Sequence, residues 1–522
     1  MNDIRNKINE FIELMIDIIN NVRSGIDFSE LKENKTRFCE LYEYFIANMP
    51  FFYSELLDIL DGDKKMYCLA MSTIYEVTKD VHVVEELENL LLDNKTDLYF
   101  ADMLQLQISA VKFTDMFVPN SYEKNRSINK NLLERYIQTY PIPYEYTSYE
   151  ERNLKRIVVE TNSLLGIHHG PTRIVLELCR CLQNDYGYEV FLLVNRTTSN
   201  PEDLHEFWVD PFIYNYDREI EGTFKLNYEG TIIFGYQFEW SRSKLKERNI
   251  ALQFIHDWKP LCVFHICGEY YRHDIYKYLT TLLSMPCEDG YTASEAQVLV
   301  SYMKSDAEYV QEAVKYINSQ NQCIEDIATF GGLKEDHNRN YKKRYFNIPE
   351  KSFVICLVGN RLDSEISPEF ESLLQRVIDR HQDIYVAVIG EMHRNLELQE
   401  NRIIKLGFQM ELIDVLKVMD LYVNPVRKGG GGSASCALQA GVPVVSLKNC
   451  DVAVNVGESF VCDDLLEMEQ LIERYIDDDV FYNNQIEKVK AWYMERKQVD
   501  RGEIFNDLLE RVKLDIVEGR CN

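Results

Sequence analysis

The chain has 522 residues, 46% of them apolar and 12% aromatic, which fills several cores and excludes disorder as its main state. Its 57 Lys and Arg stand against 85 Asp and Glu, a net charge of −28, so a phosphate backbone is repelled and no nucleic acid partner is expected. Thirteen cysteines without metal-finger spacing fit thiols in a reducing cytosol; no window offers the roughly 20 apolar residues of a membrane span, and the first residues do not read as a signal peptide, so a cytoplasmic location is expected.

Residues 1–115 carry helical spacing throughout, in FIELMIDIINNV, FCELYEYFIANM, SELLDILDG, MYCLAMSTIYEV and VVEELENLLLD, and predict an all-helical N-terminal domain. Residues 116–152 lose that periodicity, gain Pro, Tyr and Asn, and predict a linker lying on the next domain. From 153 the grammar changes. KRIVVETNSLL predicts a strand, GIHHGPTR a loop, IVLELCRCLQN a helix and YEVFLLVNR a second strand, which is a parallel βαβ unit. The apolar runs GTIIFGYQF, IALQFIHDW and PLCVFHICG extend this α/β block to 345. A second block, 346–480, begins with FVICLVGNR and continues through IYVAVIGE, IIKLGF, ELIDVLKVM and LYVNP. Helical spacing returns over 481–522. Two parallel-sheet blocks imply a cleft between facing strand ends.

The most specific stretch is LYVNPVRKGGGGSASCALQAGVPVVSL, residues 421–447. A strand runs into Gly429–Gly432, and a helix then starts with unpaired N–H groups and its positive dipole end. Gly430, Gly431, Gly432 and the hydroxyls of Ser433 and Ser435 therefore predict an anion site suited to a diphosphate. No Gly-Lys-Ser/Thr follows the glycines, so an ATPase P-loop is excluded.

The order LVGNRL, IYVAVIGE, IIKLGF, ELIDVLKVMDLYVNP, GGGGSAS and ALQAGVPVVSL resembles the donor-binding half of GT-B fold glycosyltransferases, and GIHHGPTRIVLELCRCL looks like the glycine loop and first helix of their acceptor domain. The resemblance implies two facing Rossmann-like domains, α/β in class, with the nucleotide base against Gly407 and Phe408. It places the diphosphate against Arg361 and the Gly/Ser helix start, and lets the last helices cross back to the acceptor domain. Retaining members commonly carry two glutamates across the glycine loop; the corresponding residues are Lys428 and Cys436. NRLDSEISPEF looks more like the O-GlcNAc transferase group and the bacterial cytoplasmic adhesin-glycosylating enzymes, many of which add a helical N-terminal region. In that pattern a phosphate-binding Lys corresponds to Glu365. A desolvated carboxylate facing a diphosphate is repulsive by several kcal/mol, so Arg361, Arg427 and Lys428 replace the lost cation or donor binding is impaired.

Sugar transfer needs a stabilised leaving group, an oriented acceptor and, for inversion, a base. The base candidates are His169, after the first strand, and His256 and His265, at the ends of IALQFIHDW and PLCVFHICG. The resemblance implies transfer of a hexosyl or N-acetylhexosaminyl group from a nucleotide sugar, UDP-linked, to a protein or glycan acceptor. No metal or other cofactor is expected, and the helical region is expected to offer a surface for a protein partner. Lys428, Cys436 and Glu365 also fit a catalytically silent subunit of the same shape; a retaining polysaccharide-building transferase is a third reading that they weaken.

Overall fold

The computed structural model describes residues 2–26, 31–115, 117–167, 169–195, 204–211, 220–239, 245–266, 268, 270–320, 322–328, 339–448 and 450–520. Its first unit is helical: α1 (Asn2–Arg23), α2 (Lys32–Asn48), α3 (Phe52–Ile59), α4 (Lys64–Thr78), α5 (His82–Leu92), α6 (Leu98–Thr114) and α7 (Tyr122–Thr139). Aromatic residues spaced by helical turns close its core, with Phe11 stacked on Phe38 at 4.4 Å and Phe45 on Phe52 at 5.4 Å. Asp63 and Asp97 cap α4 and α6 by accepting from backbone N–H groups two or three residues on.

Helix α7 corrects the expected linker. Its buried face, Tyr122, Asn125, Arg126, Ile128, Asn129, Leu132, Leu133 and Tyr136, has helical spacing, but three polar residues in it hide the apolar period. Those polar groups are spent on neighbours. Asn129 donates to the Ala293 carbonyl at 2.7 Å, Tyr122 to that of Thr292 at 2.9 Å, and Glu312 accepts from the Tyr122 N–H at 2.9 Å. The helix thus fastens the helical unit to the next domain.

That domain is an eight-stranded sheet: β1 (Asn153–Thr161), β2 (Glu189–Val194), β3 (Gly222–Tyr228), β4 (Thr231–Gln237), β5 (Pro260–Ile266), β6 (Thr281–Met285), β7 (Val298–Ser301) and β8 (Cys323–Asp326), in the order β3-β4-β2-β1-β5-β6-β7-β8. All neighbours are parallel except the hairpin β3–β4 at the edge. Helix α8 (Gly170–Asn184) crosses from β1 to β2. The apolar run IALQFIHDW belongs to the helix Leu245–Trp258: Ala251, Leu252 and Ile255 share its buried face and Phe254 stacks on Trp258 one turn later at 5.2 Å.

The second sheet contains β9 (Phe353–Val358), β10 (Ile384–Ile389), β11 (Ile403–Gly407), β12 (Leu421–Val423), β13 (Val444–Leu447) and β14 (Val461–Cys462), all parallel, in the order β11-β10-β9-β12-β13-β14. Both sheets reverse direction of winding beside their first strand, and in such sheets ligands gather outside the carboxyl ends at that point. Val489 and Trp492 on the helix Asp479–Lys497 join the core of this second lobe. The last helix, Arg501–Val517, instead packs Phe505, Leu508, Leu509 and Val512 into the core of the first lobe with α8, so the chain ties the lobes together. No helix among the described residues is long and apolar enough to cross a membrane.

Candidate active site

A cavity of about 1090 Å³ lies where the two lobes and the helical unit meet. On the second lobe, β12 leads into Gly429–Gly432 and the helix Gly431–Gln439. Gly430 has φ +85°, and a Cβ there would stand 2.7 Å from Nη2 of Arg427, so only glycine fits this bend. Among the described residues the N–H groups of Gly430, Gly431 and Gly432 make no hydrogen bond within the chain. The Gly429 N–H is taken by the Asp451 carboxylate at 2.8 Å, which also accepts from the Asp289 N–H of the first lobe at 3.0 Å. Burial pushes the Asp451 carboxyl above its ordinary range.

The cations divide into two roles. Arg361, at the end of β9, borders the cavity, and so does Lys428, whose Nζ donates to the Lys112 carbonyl of α6 at 2.6 Å. Arg427 does not face the cavity as a free cation: it is buried, with Nε on Asn424 at 2.9 Å, Nη1 on Glu365 at 2.6 Å, and Nη2 on the Val358 carbonyl at 2.8 Å and the Tyr422 hydroxyl at 3.0 Å. It therefore braces the bend from behind. Glu365, the unexpected carboxylate, is held between Arg427 and Arg361, the latter at 2.8–2.9 Å. Its charge is compensated within the protein, which removes the predicted clash with an anion.

Ser433 lines the cavity, with its hydroxyl 2.9 Å from the Gly430 carbonyl and 3.0 Å from Tyr422. Ser435 does not: it is buried against Asn455 inside the helix, one residue from the equally buried Cys436. Phe408 lines the cavity and is 49% exposed. Gly407, just before it, has φ +65° and accepts from the Gly390 N–H at 2.9 Å, so it shapes the strand end without bordering the cavity.

The three histidines separate cleanly. His169 immediately precedes α8 and borders the cavity; its Nδ1 lies 3.0 Å from the Thr172 hydroxyl, and Nε2 has no partner among the described residues. Burial pushes its pKa down to about 4. His256 is corrected: it sits on the helix Leu245–Trp258, outside the cavity, stacked on Tyr144 at 4.6 Å. His265 is also corrected. It is fully buried on β5, bonded to Glu160 of β1 and stacked at 3.5 Å on His273. Glu160, His265 and His273 have ligand-type atoms within 4.8 Å of one another, yet the two rings lie only 17° from parallel, so their lone pairs run side by side and do not converge on one ion. Burial, then the neighbouring His265, push His273 far below its ordinary pKa.

Sequence reasoning missed Lys112 and Phe113 of α6, Asp289, Asp451 and Asn455. None carries a local motif, because each reaches the site across a domain boundary or from a neighbouring helix.

Two facing Rossmann-type sheets with an open, glycine-rich helix start at the switch point of one define a two-lobed α/β protein with a cleft between the lobes. Among solved structures, the chain aligns with a point mutant of O-GlcNAc transferase from Thermobaculum terrenum over 99% of this chain and 98% of that one, at a TM-score of 0.54 and 13% identity. It also aligns with a trehalose-6-phosphate structure from E. coli bound with UDP-2-fluoro glucose (69% and 99%, TM-score 0.47, 11% identity) and a glycosyltransferase from Rickettsia africae (70% and 99%, TM-score 0.43, 11% identity). No family model and no curated protein matches the sequence. The architecture is the GT-B fold, with an all-helical N-terminal region in front of it.

Proposed function

We propose that this protein is a glycosyltransferase that moves a sugar from a UDP-linked nucleotide sugar to a protein or glycan acceptor without a metal. The observation that carries the reading is the unpartnered N–H run Gly430–Gly432, flanked by Arg361 and Lys428 and facing the same cavity as His169. A departing nucleoside diphosphate gathers negative charge, and preorganised N–H groups and cations at a helix start stabilise that charge as it develops. The aromatic face of Phe408 suits the base, as the resemblance implies.

His169 supports the acceptor half of the reaction. Its low pKa keeps the ring neutral near pH 7, and Nε2 is the nitrogen left for an acceptor hydroxyl when Nδ1–H donates to Thr172. Compensation of Glu365 favours an active enzyme over a silent subunit.

The test is direct binding and turnover. UDP at a hundred times its dissociation constant should stabilise the protein by about 2.7 kcal/mol. Arg361→Ala should weaken UDP binding at least about tenfold, which is 1.4 kcal/mol, and chelation of divalent ions should leave donor hydrolysis unchanged. Absence of any UDP-induced stabilisation overturns the proposal.

A further inference from the structure

Helix α6 ends at the donor side of the cavity, although it belongs to the helical unit. The last four carbonyls of a helix have no partner within it. One of these, that of Lys112, is filled by the ammonium of Lys428, a cation at the negative end of the helix dipole. Lys112's own side chain turns the other way, bonded to Glu88 and to Asn125 at 2.7 Å, and so fixes the helix end from within its unit. The next residue, Phe113, lies with its ring centroid 4.5 Å from the Arg361 guanidinium, and its tip reaches Gly429, where a Cβ would stand 3.7 Å from it. Arg361 is then held by the ring, by Glu365 and by the Lys428 carbonyl at 3.1 Å, with the rest of its side chain open to the cavity.

We infer that the end of α6 is a structural part of the donor site: Phe113 and the Lys112 carbonyl position Arg361 and Lys428 for an incoming diphosphate. Arg and Lys side chains are rich in rotamers, and ordering them beforehand removes a cost that binding would otherwise carry. An aromatic face suits the task because it attracts a guanidinium without consuming its N–H donors. Phe113 is a positioning residue, since it acts through Arg361. The helical unit then serves the donor as well as any acceptor or partner.

The inference rests on the diphosphate-binding reading above, and the experiment separates the two. UDP and inorganic pyrophosphate are titrated calorimetrically into the full chain and into Phe113→Ala, Phe113→Leu and Phe113→Tyr. Both ligands should bind Phe113→Ala and Phe113→Leu at least about fivefold more weakly than wild type, while Phe113→Tyr, which keeps the aromatic face, should stay within about twofold. Binding to Phe113→Leu as tight as wild type, or any tightening in Phe113→Ala, overturns the inference and leaves the donor-site reading standing. If wild type binds neither ligand, the donor-site reading itself falls. Should Phe113→Ala fail to fold, the Leu and Tyr variants decide between a positioning ring and mere filling of space.

Discussion

The two lobes share a winding order and differ in what their strand ends present to the cleft. Counting strands within each lobe and leaving aside the edge hairpin strand β3, both sheets run third-second-first-fourth-fifth-sixth, and the first lobe adds a seventh strand, β8, at its far edge. At the ends of β9 and β12 the second lobe offers backbone N–H groups, Arg361 and Lys428; beyond β1 the first lobe offers His169, which burial keeps neutral, beside Arg173 and Glu177 of α8, while its His–Glu–His cluster is fully buried. Under the proposed function, the same scaffold serves an anion on one side and an acceptor proton on the other. Fold sets where chemistry is placed, and a few residues past each strand set which chemistry it is.

The sharpest way to break this comparison lies within the second lobe, where two arginines hold one carboxylate. Arg427 is buried with four hydrogen-bond partners, whereas Arg361 is partly open to the cavity. Removing one partner of a buried ion pair leaves an uncompensated charge, so Arg427→Ala should lower unfolding free energy by about 3–5 kcal/mol. Arg361→Ala should cost under about 1 kcal/mol in stability and act on UDP affinity instead. Urea denaturation of both variants checks it; equal stability losses would erase the division between brace and binder.

On the other lobe, His169→Gln should lower turnover at least about 100-fold, the scale of a lost general base. Acidification adds a second readout. Because burial holds the folded pKa near 4 while the unfolded chain titrates near 6.5, the unfolded state binds more protons between those values. Stability therefore falls as pH drops through that window, is restored as pH rises above it, and His169→Gln should flatten this part of the slope. Urea melts at pH 7 and pH 5 measure the difference.

Gly430→Ala probes the bend itself. A left-handed conformation costs a non-glycine residue about 1–2 kcal/mol, and the new methyl would meet an Arg427 side chain that its four partners keep from moving. Loss of about 2 kcal/mol in stability is expected, together with weaker UDP binding, both visible in one thermal titration.

Much of this was legible beforehand. Strands such as FVICLVGNR and IYVAVIGE are continuous apolar runs, as strands buried on both faces must be, and the glycine bend announces itself because no other residue tolerates its backbone. What stayed hidden shares one cause: partners distant in the chain. Helix α7 hides its period because Asn125, Arg126 and Asn129 are buried against groups outside it, and Arg427 looks like a ligand-binding cation until Glu365, 62 residues away, is seen beside it. Helical spacing in IALQFIHDW competes with its apolar content, and the helix prevails because Phe254 and Trp258 meet one turn apart.

His256 provides the smallest and most discriminating test of that last point. A catalytic histidine at a strand end would be intolerant of change, whereas the observed ring packs on Tyr144, away from the cavity. An aromatic pair contributes about 0.5–1.5 kcal/mol beyond its buried area, so His256→Leu, which keeps volume but loses the stack, should cost about 1 kcal/mol in urea. Donor affinity and turnover should stay within about twofold of wild type. A large loss of turnover at unchanged stability would return this residue to the reaction and make the helix Leu245–Trp258, not the loop before α8, the source of the first lobe's chemistry.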